Sequence, residues 1–371
     1  MDSVDIASLT RWVLLSGFGV AFLFGALAQR THFCTMGAIS DAVNMGDWTR
    51  ARQWVLAIGV AMMGFAALSM HGDIPPDKAL YAGTRLLWLS CSLGGLMFGF
   101  GMVLASGCGN KSLVRVGSGN LKSLVVLLVM GVAAFATLKG ITGVLRVATV
   151  DRFYTEMPQG AHLGGLFTAV FAIDLNGLQV WLGLGLGLIL ALWALSRREF
   201  WSWENLLAGA GAGLLVVAMW WVSGSLGHVA EHPETLEEVF LTTNSGRMES
   251  LSFVAPVAYL LDWLMFYSDK SKLLSLGIVS VLGVIAGSFV MSRADGSFRF
   301  EGFGSVEDLG NHLVGAVLMG VGGVTAMGCT IGQGLSGVST LSLNSGIALT
   351  CIVLGALAGF RYQIWRLEQQ L

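Results

Sequence analysis

Three of the five cysteines lie in similar glycine-containing segments that are far apart along the chain. The segments read HFCTMG at 32–37, SGCGNK at 106–111 and MGCTIG at 327–332. A thiol combines a weak hydrogen-bond donor with a soft, polarizable sulfur, which suits a sulfur-containing anion better than a hard oxyanion. Cys34, Cys108 and Cys329 are therefore candidate contacts for such an anion. Cys91 and Cys351 lie inside apolar stretches and are interpreted as small hydrophobic residues.

Groups beside these cysteines could replace the water that a buried anion loses. The candidates are the backbone at Gly107, Gly109 and Gly328, the hydroxyl of Thr330, and the cations of Lys111 and Arg115. Glycine lets the backbone approach a ligand closely. The two cations could draw an anion toward the second cysteine. The alternative is a pair of interfacial cations that extend toward the membrane surface.

The segment after Cys329 predicts a chain reversal inside a membrane. Residues 330–346 read TIGQGLSGVSTLSLNSG and combine glycine with hydroxyl side chains, without any charge. Such a segment cannot continue as a lipid-facing helix, and it lacks the basic residues of an exposed loop. Non-helical backbone at membrane depth is tolerated only where it lines a cavity or packs against protein. We therefore predict a re-entrant hairpin, with the N–H groups of the next helix start facing the candidate site.

Charged residues make up only 12% of the 371 residues, about half the share found in an ordinary soluble domain. Residues 313–360 contain no Asp, Glu, Lys or Arg, which excludes a soluble globular protein. The apolar content of 54% excludes a disordered chain, and five scattered cysteines make no disulfide framework. The net charge of −2, without any Lys/Arg block, argues against a nucleic-acid partner.

Long uncharged apolar runs predict an all-α polytopic integral membrane protein with about nine transmembrane helices. The runs cover residues 12–29, 53–70, 86–107, 123–138, 175–196, 205–227, 273–292, 313–327 and 346–360. Two shorter runs, 160–173 and 251–261, are predicted to be re-entrant or interfacial half-helices. The distribution of Lys and Arg among the loops leans toward an external amino terminus. Residues 1–371 are predicted to form one membrane domain.

Residues 94–108 and 315–329 predict an internal repeat. They read GGLMFGFGMVLASGC and GAVLMGVGGVTAMGC, and seven of fifteen positions are identical at an offset of 221. With nine crossings the two copies run in opposite directions, as in inverted-topology repeats that place a substrate site between broken helices. The alternative is a chance match between two glycine-rich helices. We predict a first repeat half at 1–145, connecting helices and loops at 146–271, and a second repeat portion at 272–371.

These motifs resemble those of the YeeE/YedE-type thiosulfate transporter family over nearly the whole chain. The segments that carry the resemblance are FCTMGAISD around Cys34, GFGMVLASGCGNKSLVRVGSGN around Cys108, GSFRF at 296–300 and GCTIGQGLSGVSTLSLNS around Cys329. The resemblance implies an hourglass-like, inverted-repeat protein of the inner (cytoplasmic) membrane. It also implies that the three motif cysteines line a central path and pass thiosulfate inward through S–H hydrogen bonds.

The resemblance has one departure that bears on the substrate. Where the family often has asparagine after the third cysteine and histidine three residues further on, this chain has Thr330 and Gln333. The sulfur path is intact, but the preference among sulfur compounds, or for a selenium species, stays open. Such transporters are often paired with a small sulfurtransferase, which makes a separate cytoplasmic sulfurtransferase a candidate partner beside the substrate anion and membrane lipid.

Two other classes of function are weaker interpretations of the sequence. The segment HVAEH at 228–232 matches the H-x-x-E-H pattern of some metallopeptidases, but Pro233 and an acidic stretch follow it, so we expect a solvated connection and no metal site. A sulfur-transfer or redox protein would use the same thiols, yet only Cys108 has basic neighbours and none of the three belongs to a Cys-x-x-Cys pair. No ATP-binding loop or dinucleotide fingerprint is visible, so no enzyme activity and no cofactor are expected.

Overall fold

The computed structural model describes residues 6–171, 177–233 and 235–369. Within them, eight helical segments are long and apolar enough to cross a membrane. These segments are Ile6–Met45, Thr49–His71, Trp88–Gly117, Leu121–Lys139, Leu178–Leu195, Trp203–Leu226, Leu276–Ala294 and Leu343–Glu368. The prediction of an all-α, multi-pass membrane protein is confirmed.

The helices follow one another with few strands between them. They are α1 (Ile6–Thr31), α2 (Thr35–Ser40), α3 (Thr49–His71), α4 (Trp88–Leu104), α5 (Gly109–Gly117), α6 (Leu121–Lys139), α7 (Ile141–Ala148), α8 (Leu163–Phe171), α9 (Leu178–Leu195), α10 (Trp203–Leu206), α11 (Ala212–Trp221), α12 (Val254–Met265), α13 (Leu276–Ala294), α14 (Val306–Thr325) and α15 (Leu343–Glu368). Two antiparallel pairs join β1 (Arg85–Leu86) to β2 (Thr155–Glu156) and β3 (His228–Val229) to β4 (Val239–Phe240).

Helix α14 begins at Val306, seven residues before the predicted start of the eighth span. The Ser305 side chain caps the helix by accepting the N–H of Asp308 at 3.1 Å. The helix dipole favours acidic side chains in a first turn, such as Glu307 and Asp308. The predicted span left these charged residues out, but they belong to the helix. Because its first turns are polar, α14 is not one of the eight apolar segments. Its 20 residues nevertheless pack against α4 and α6.

The two copies of the repeat cross each other through glycine. A Cβ atom added to Gly94 would lie 2.7 Å from the carbonyl oxygen of Gly322, and one added to Gly101 would lie 2.7 Å from that of Gly315. Gly94 precedes Gly101 in α4, whereas their contacts in α14 come in the reverse order, so the two helices are antiparallel. In the repeat, Gly94 corresponds to Gly315 and Gly101 corresponds to Gly322. Exchanging the two copies therefore turns one of these contacts into the other. A two-fold inverted repeat requires this symmetry.

The offset between the copies changes by one residue after the cysteines. Cys108 and Cys329 are 221 residues apart, whereas Asn120 and Ser342, which precede α6 and α15, are 222 apart. A π-helical turn at Gly332–Gly337 accommodates the added residue in the second copy. Such turns contain one residue more than an α-helical turn and are frequent at functional sites.

The two predicted half-helices correspond to α8 and α12, which contain 9 and 12 residues. Residues 172–173 of the first prediction, and 175–176 of the fifth predicted span, lie outside the described residues. The hourglass shape and the boundaries of the repeat halves stay predictions.

Candidate functional site

Each motif cysteine follows a break in a membrane helix, and the backbone makes the same turn at all three breaks. The residue two positions before the cysteine has a positive φ, which is 53° at His32, 54° at Ser106 and 56° at Met327. Residues other than glycine seldom adopt this left-handed conformation, and when they do they are often found at functional sites. The breaks after α1, α4 and α14 are therefore three versions of one local structure.

Each cysteine directly precedes the helical segment that follows its break, and two of the three cap that segment through sulfur. Cys34 Sγ accepts the N–H of Gly37 and Cys329 Sγ accepts the N–H of Gly332, both at 3.4 Å. Cys108 has the same extended backbone before α5, but its sulfur makes no capping bond. Where sulfur serves as the acceptor, the S–H proton is directed elsewhere and can be donated to a ligand.

The three thiols are free and buried. Their residues are 6%, 1% and 0% exposed, in the order Cys34, Cys108 and Cys329. Cys108 lies near both of the other motif cysteines. The structure therefore brings Cys108 near two cysteines that are 74 and 221 positions away along the chain.

A buried polar atom without a hydrogen-bond partner accompanies each thiol. These atoms are Thr35 Oγ1, Asn110 Oδ1 and Thr330 Oγ1, in residues that are 5%, 2% and 0% exposed. The Thr330 hydroxyl faces the Cys108 thiol without reaching normal hydrogen-bond geometry. Buried polar groups are nearly always satisfied, so three unsatisfied ones beside three thiols indicate a ligand site. The sequence predicted Thr330 as a site residue, but not Thr35 or Asn110.

A polar vestibule leads from one side of the protein toward Cys108. Its volume is about 430 Å³, and its walls include His32 and Ser106 from the helix breaks, together with Lys111 and Arg115. Arg115 also donates from Nη1 to the carbonyl oxygen of Ser106 at 2.8 Å, which ties α5 to the end of α4. The two cations predicted from sequence thus line a cavity that reaches the cysteine breaks.

The charges in this first vestibule are only partly neutralised. Lys122 pairs with Asp308 at 2.7 Å and Arg299 pairs with Glu301 at 2.7 Å. Within the described residues, neither Lys111 nor Arg115 has an acidic partner. Two unpaired cations beside a buried site favour anions, because desolvated negative charge needs a nearby positive charge.

A second vestibule of about 340 Å³ reaches the break at Met327 and Gly328. Its walls also carry Tyr81 and Glu249, and the Tyr81 hydroxyl oxygen would lie 3.3 Å from a Cβ atom added to Gly332. Met327 is the repeat counterpart of Ser106, which lines the first vestibule. One cavity therefore reaches each of these two equivalent breaks, within two residues of Cys108 and of Cys329.

The comparison with known proteins places the chain in a family. A family model described as sulphur transport matches residues 30–358, which include all three motif cysteines. The chain belongs to this sulphur transport family. It is 26% identical over 366 residues to the thiosulfate transporter TsuA of Escherichia coli strain K12, covering 92% of each chain. It is 27% identical over 356 residues to TsuA of Spirochaeta thermophila, covering 92% of this chain and 97% of that relative.

A shorter match involves another transporter. Over 119 residues the chain is 30% identical to the probable transporter YedE of Escherichia coli strain K12, covering 30% of this chain and 28% of the relative. Together these matches confirm the predicted family.

The other predicted site residues of this sulphur transport protein support the breaks. A Cβ atom on Gly107 would lie 3.2 Å from the Lys111 side chain, and one on Gly328 would lie 3.0 Å from Gln333. Gly109 has only ordinary contacts, the nearest being Met130 at 3.5 Å. Gln333 donates from Nε2 to the carbonyl oxygen of Ala326 and accepts from Ser345 at Oε1. Because both ends of its amide are engaged by protein, Gln333 braces the third break and leaves ligand contacts to its neighbours.

The two remaining cysteines lie elsewhere in the sulphur transport fold. Cys91 is fully buried in α4, where its sulfur is 3.7 Å from Asn344 Oδ1. Cys351 is in α15 and packs against Gly95. Both contribute to helix packing, and Cys91 provides a matched control for the path cysteines.

The H-x-x-E-H segment has the wrong structure for a metallopeptidase. His228 is in strand β3, and its Nε2 lies 2.9 Å from Glu238 Oε1, whereas the motif requires both histidines on one helix. No group of three potential ligands that could hold a metal ion occurs among the residues that the structure describes.

The Glu249 carboxyl lies in the wall of the second vestibule, where its pKa is raised. Its Oε1 accepts the N–H of Ser245 at 2.9 Å. Burial raises the pKa of the Glu249 carboxyl above its ordinary value of 4.5, against the opposing effect of hydrogen bonds from Ser245 and Asn244. A raised pKa means that the folded state holds this proton more tightly than the unfolded chain does. The resulting stabilisation is present at low pH and is lost as the pH rises through the raised pKa.

We expect Glu249→Gln to flatten the decline in thermal stability as the pH rises from about 4.5 toward neutrality. Melting followed by tryptophan fluorescence across this range measures the effect. The control is Glu237→Gln, which changes an exposed carboxyl in the same connecting segment. An equal decline in the wild type and in Glu249→Gln would contradict the assignment.

Proposed function

We propose that this protein carries thiosulfate across the cytoplasmic membrane through a path lined by Cys34, Cys108 and Cys329. The observation that carries the proposal is the set of three buried thiols, each beside an unsatisfied polar atom, with two vestibules that reach the adjoining helix breaks. The full-length similarity to two proteins named thiosulfate transporters supports the same substrate.

The two ends of thiosulfate match two kinds of group in the path. Its terminal sulfur is large and polarizable, so it accepts S–H hydrogen bonds from the thiols. Its oxygen atoms need stronger donors, which the hydroxyls of Thr35 and Thr330 and the N–H groups at the helix starts supply. Each contact is weak enough for the anion to leave, as transit requires.

Lys111 and Arg115 provide the charge that the thiols lack. Thiosulfate carries two negative charges, and its entry into a buried path costs free energy unless positive charge lies nearby. The two unpaired cations of the first vestibule line the cavity that reaches Ser106, two residues before Cys108. In this proposal they hold the anion next to Cys108 without forming the contact through sulfur.

The boundaries of the two repeat halves and a separate cytoplasmic sulfurtransferase partner also belong to this proposal. The sulfurtransferase would receive thiosulfate after transport. The membrane lipid would surround the protein and prevent leakage around the path. Other sulfur or selenium anions, and a sulfur-transfer reaction on the same thiols, are the alternatives that the experiments distinguish.

The test is uptake of labelled thiosulfate into liposomes that contain the purified protein. We expect uptake well above that of protein-free liposomes, with weak competition from excess sulfate, because sulfate has no terminal sulfur for the thiols. Uptake of selenite or sulfite in preference to thiosulfate would contradict the substrate assignment. Absence of uptake by well-folded protein would contradict transport by this chain alone.

A separate prediction concerns the unsatisfied hydroxyl of Thr330. Thr330→Val removes the hydroxyl at almost unchanged volume, so we expect the KM for thiosulfate to rise roughly fivefold, the effect of one lost hydrogen bond. Thermal stability should stay equal or increase, because a buried polar group without a protein partner disappears. Uptake kinetics and melting curves of the same preparation measure both effects.

Thr340→Val is the matched control for this change. Thr340 is 3% exposed in the same segment, but its hydroxyl donates to the carbonyl oxygen of Gly337 at 2.8 Å. We expect this variant to lose about 1 kcal/mol of stability with little change in KM. If Thr330→Val behaved like Thr340→Val, the Thr330 hydroxyl would not be a substrate contact.

A further inference from the structure

The second vestibule contains an arginine that the thiol path does not use. Arg146 lies in α7 and lines this cavity together with Met327 and Gly328 of the third helix break. Its Nη1 lies 3.4 Å from the carbonyl oxygen of Val324, near the end of α14. Arg115 makes a similar contact in the first vestibule, where it binds the carbonyl oxygen of Ser106, two residues after the last residue of α4. Each vestibule therefore places one guanidinium against the end of the broken helix that leads to its cysteine.

The two arginines differ in their acidic neighbours. Arg115 has no acidic partner among the described residues, whereas Arg146 Nε lies 3.0 Å from Asp151 Oδ2. Asp151 is held in place by Ser90, whose hydroxyl donates to Oδ1 at 2.7 Å. The side chains of Arg146 and Asp151 are each 23% exposed, so both face a cavity and neither is sealed in the core.

The ion pair leaves part of the guanidinium unused. Arg146 Nε is buried, and despite its distance from Asp151 its N–H makes no hydrogen bond of normal geometry. A guanidinium presents five donors in a planar fork that suits carboxylates and other oxyanions with paired oxygens. Asp151 therefore occupies the position that the oxygen atoms of an incoming anion would take. It does not provide a hydrogen bond for every donor of the Arg146 guanidinium.

We propose that Arg146 is an anion-binding residue of the second vestibule, and that Asp151 is an internal competitor that weakens the binding. The site takes a small oxyanion through its oxygen atoms. The identity of that anion as thiosulfate rests on the proposed function. The other carboxylate of this cavity, Glu249, binds the N–H of Ser245 and makes no ion pair among the described residues. Competition by Asp151 keeps the anion mobile, which a path that must release its cargo requires.

The test is equilibrium binding of labelled thiosulfate to purified protein in a Cys108→Ala background, where the central thiol contact is removed. We expect Asp151→Asn to lower the Kd roughly fivefold, because the guanidinium loses its competitor. Arg146→Gln should raise the Kd roughly tenfold, and Arg146→Lys should give an intermediate value, because charge is kept but the fork is lost. In the double variant the gain from Asp151→Asn should disappear.

Asp73→Asn, which changes an exposed acidic residue in another loop, is the control and should leave the Kd unchanged. Size-exclusion profiles and melting curves show whether each variant is folded. Equal binding by all folded variants, no binding in any of them, or a gain from Asp151→Asn that persists with Arg146→Gln, would overturn the inference. Uptake by the wild-type protein is measured separately and decides the proposed function, so either proposal can fail while the other stands.

Discussion

Replacement of Cys108 by alanine is expected to reduce thiosulfate uptake into liposomes at least about a hundredfold, because it removes the contact that joins the two halves of the path. Cys108 is 1% exposed and neighbours both other path thiols. Without its thiol, the anion would meet a gap between Cys34 and Cys329. Initial rates at several thiosulfate concentrations measure the change.

Two controls separate this effect from misfolding. Cys91→Ala changes an equally buried cysteine of α4 that does not line either vestibule, so uptake should be retained. Cys108→Ser keeps a donor of similar size but replaces soft sulfur by oxygen, and we expect it to recover only a small part of the activity. Normal uptake by a folded Cys108→Ala protein would refute the thiol path.

Replacement of Gly99, which lies where α4 packs against α15, is expected to have an equally large effect on folding. A Cβ atom added to Gly99 would lie 2.0 Å from the carbonyl oxygen of Ile352, so Gly99→Ala forces α4 and α15 apart. The repeat counterpart, Gly320, meets the carbonyl oxygen of Met130 in the same way. Because backbone cannot yield as a flexible side chain does, we expect a loss of about 3 kcal/mol, at the upper end for overpacking.

Thermal melting in detergent, with size-exclusion chromatography of the same samples, measures this loss. The control is Gly19→Ala in α1, where an added Cβ atom would have nothing within 4 Å. Gly19→Ala should be neutral or slightly stabilising, since alanine favours a helix more than glycine does. Similar melting temperatures for the two variants would contradict the close helix packing.

The sequence contained enough information to predict the helices and the thiols. Long apolar runs predicted the membrane segments because a bilayer requires them, and the shared Gly-Cys endings predicted the repeat, since glycine matches alone are common in membrane helices. The start of α14 was predicted too late because charge was used to exclude a turn that Ser305 and the helix dipole favour. The added residue at Gly332–Gly337 was also missed, since a single offset was assumed for both copies.

The polar groups around the thiols were harder to predict. Thr35 and Asn110 were overlooked because their significance is that they lack partners, a property that only the packed structure defines. Their position within two residues of a motif cysteine was the available signal. The vestibules could not be predicted either, since Gln29, Ser106 and His312 come from three distant segments that meet only after folding.

In the proposed function the whole anion passes the thiols unaltered. The most direct measurement is uptake of thiosulfate that carries different isotopes on its terminal and central sulfur atoms, followed by mass spectrometry of the protein. We predict that both labels accumulate inside the liposomes in equal amounts, as intact thiosulfate, and that all five cysteines remain unmodified. Accumulation of the terminal sulfur alone, or a persulfide on Cys34, Cys108 or Cys329 after turnover, would contradict the account and establish sulfur transfer in its place.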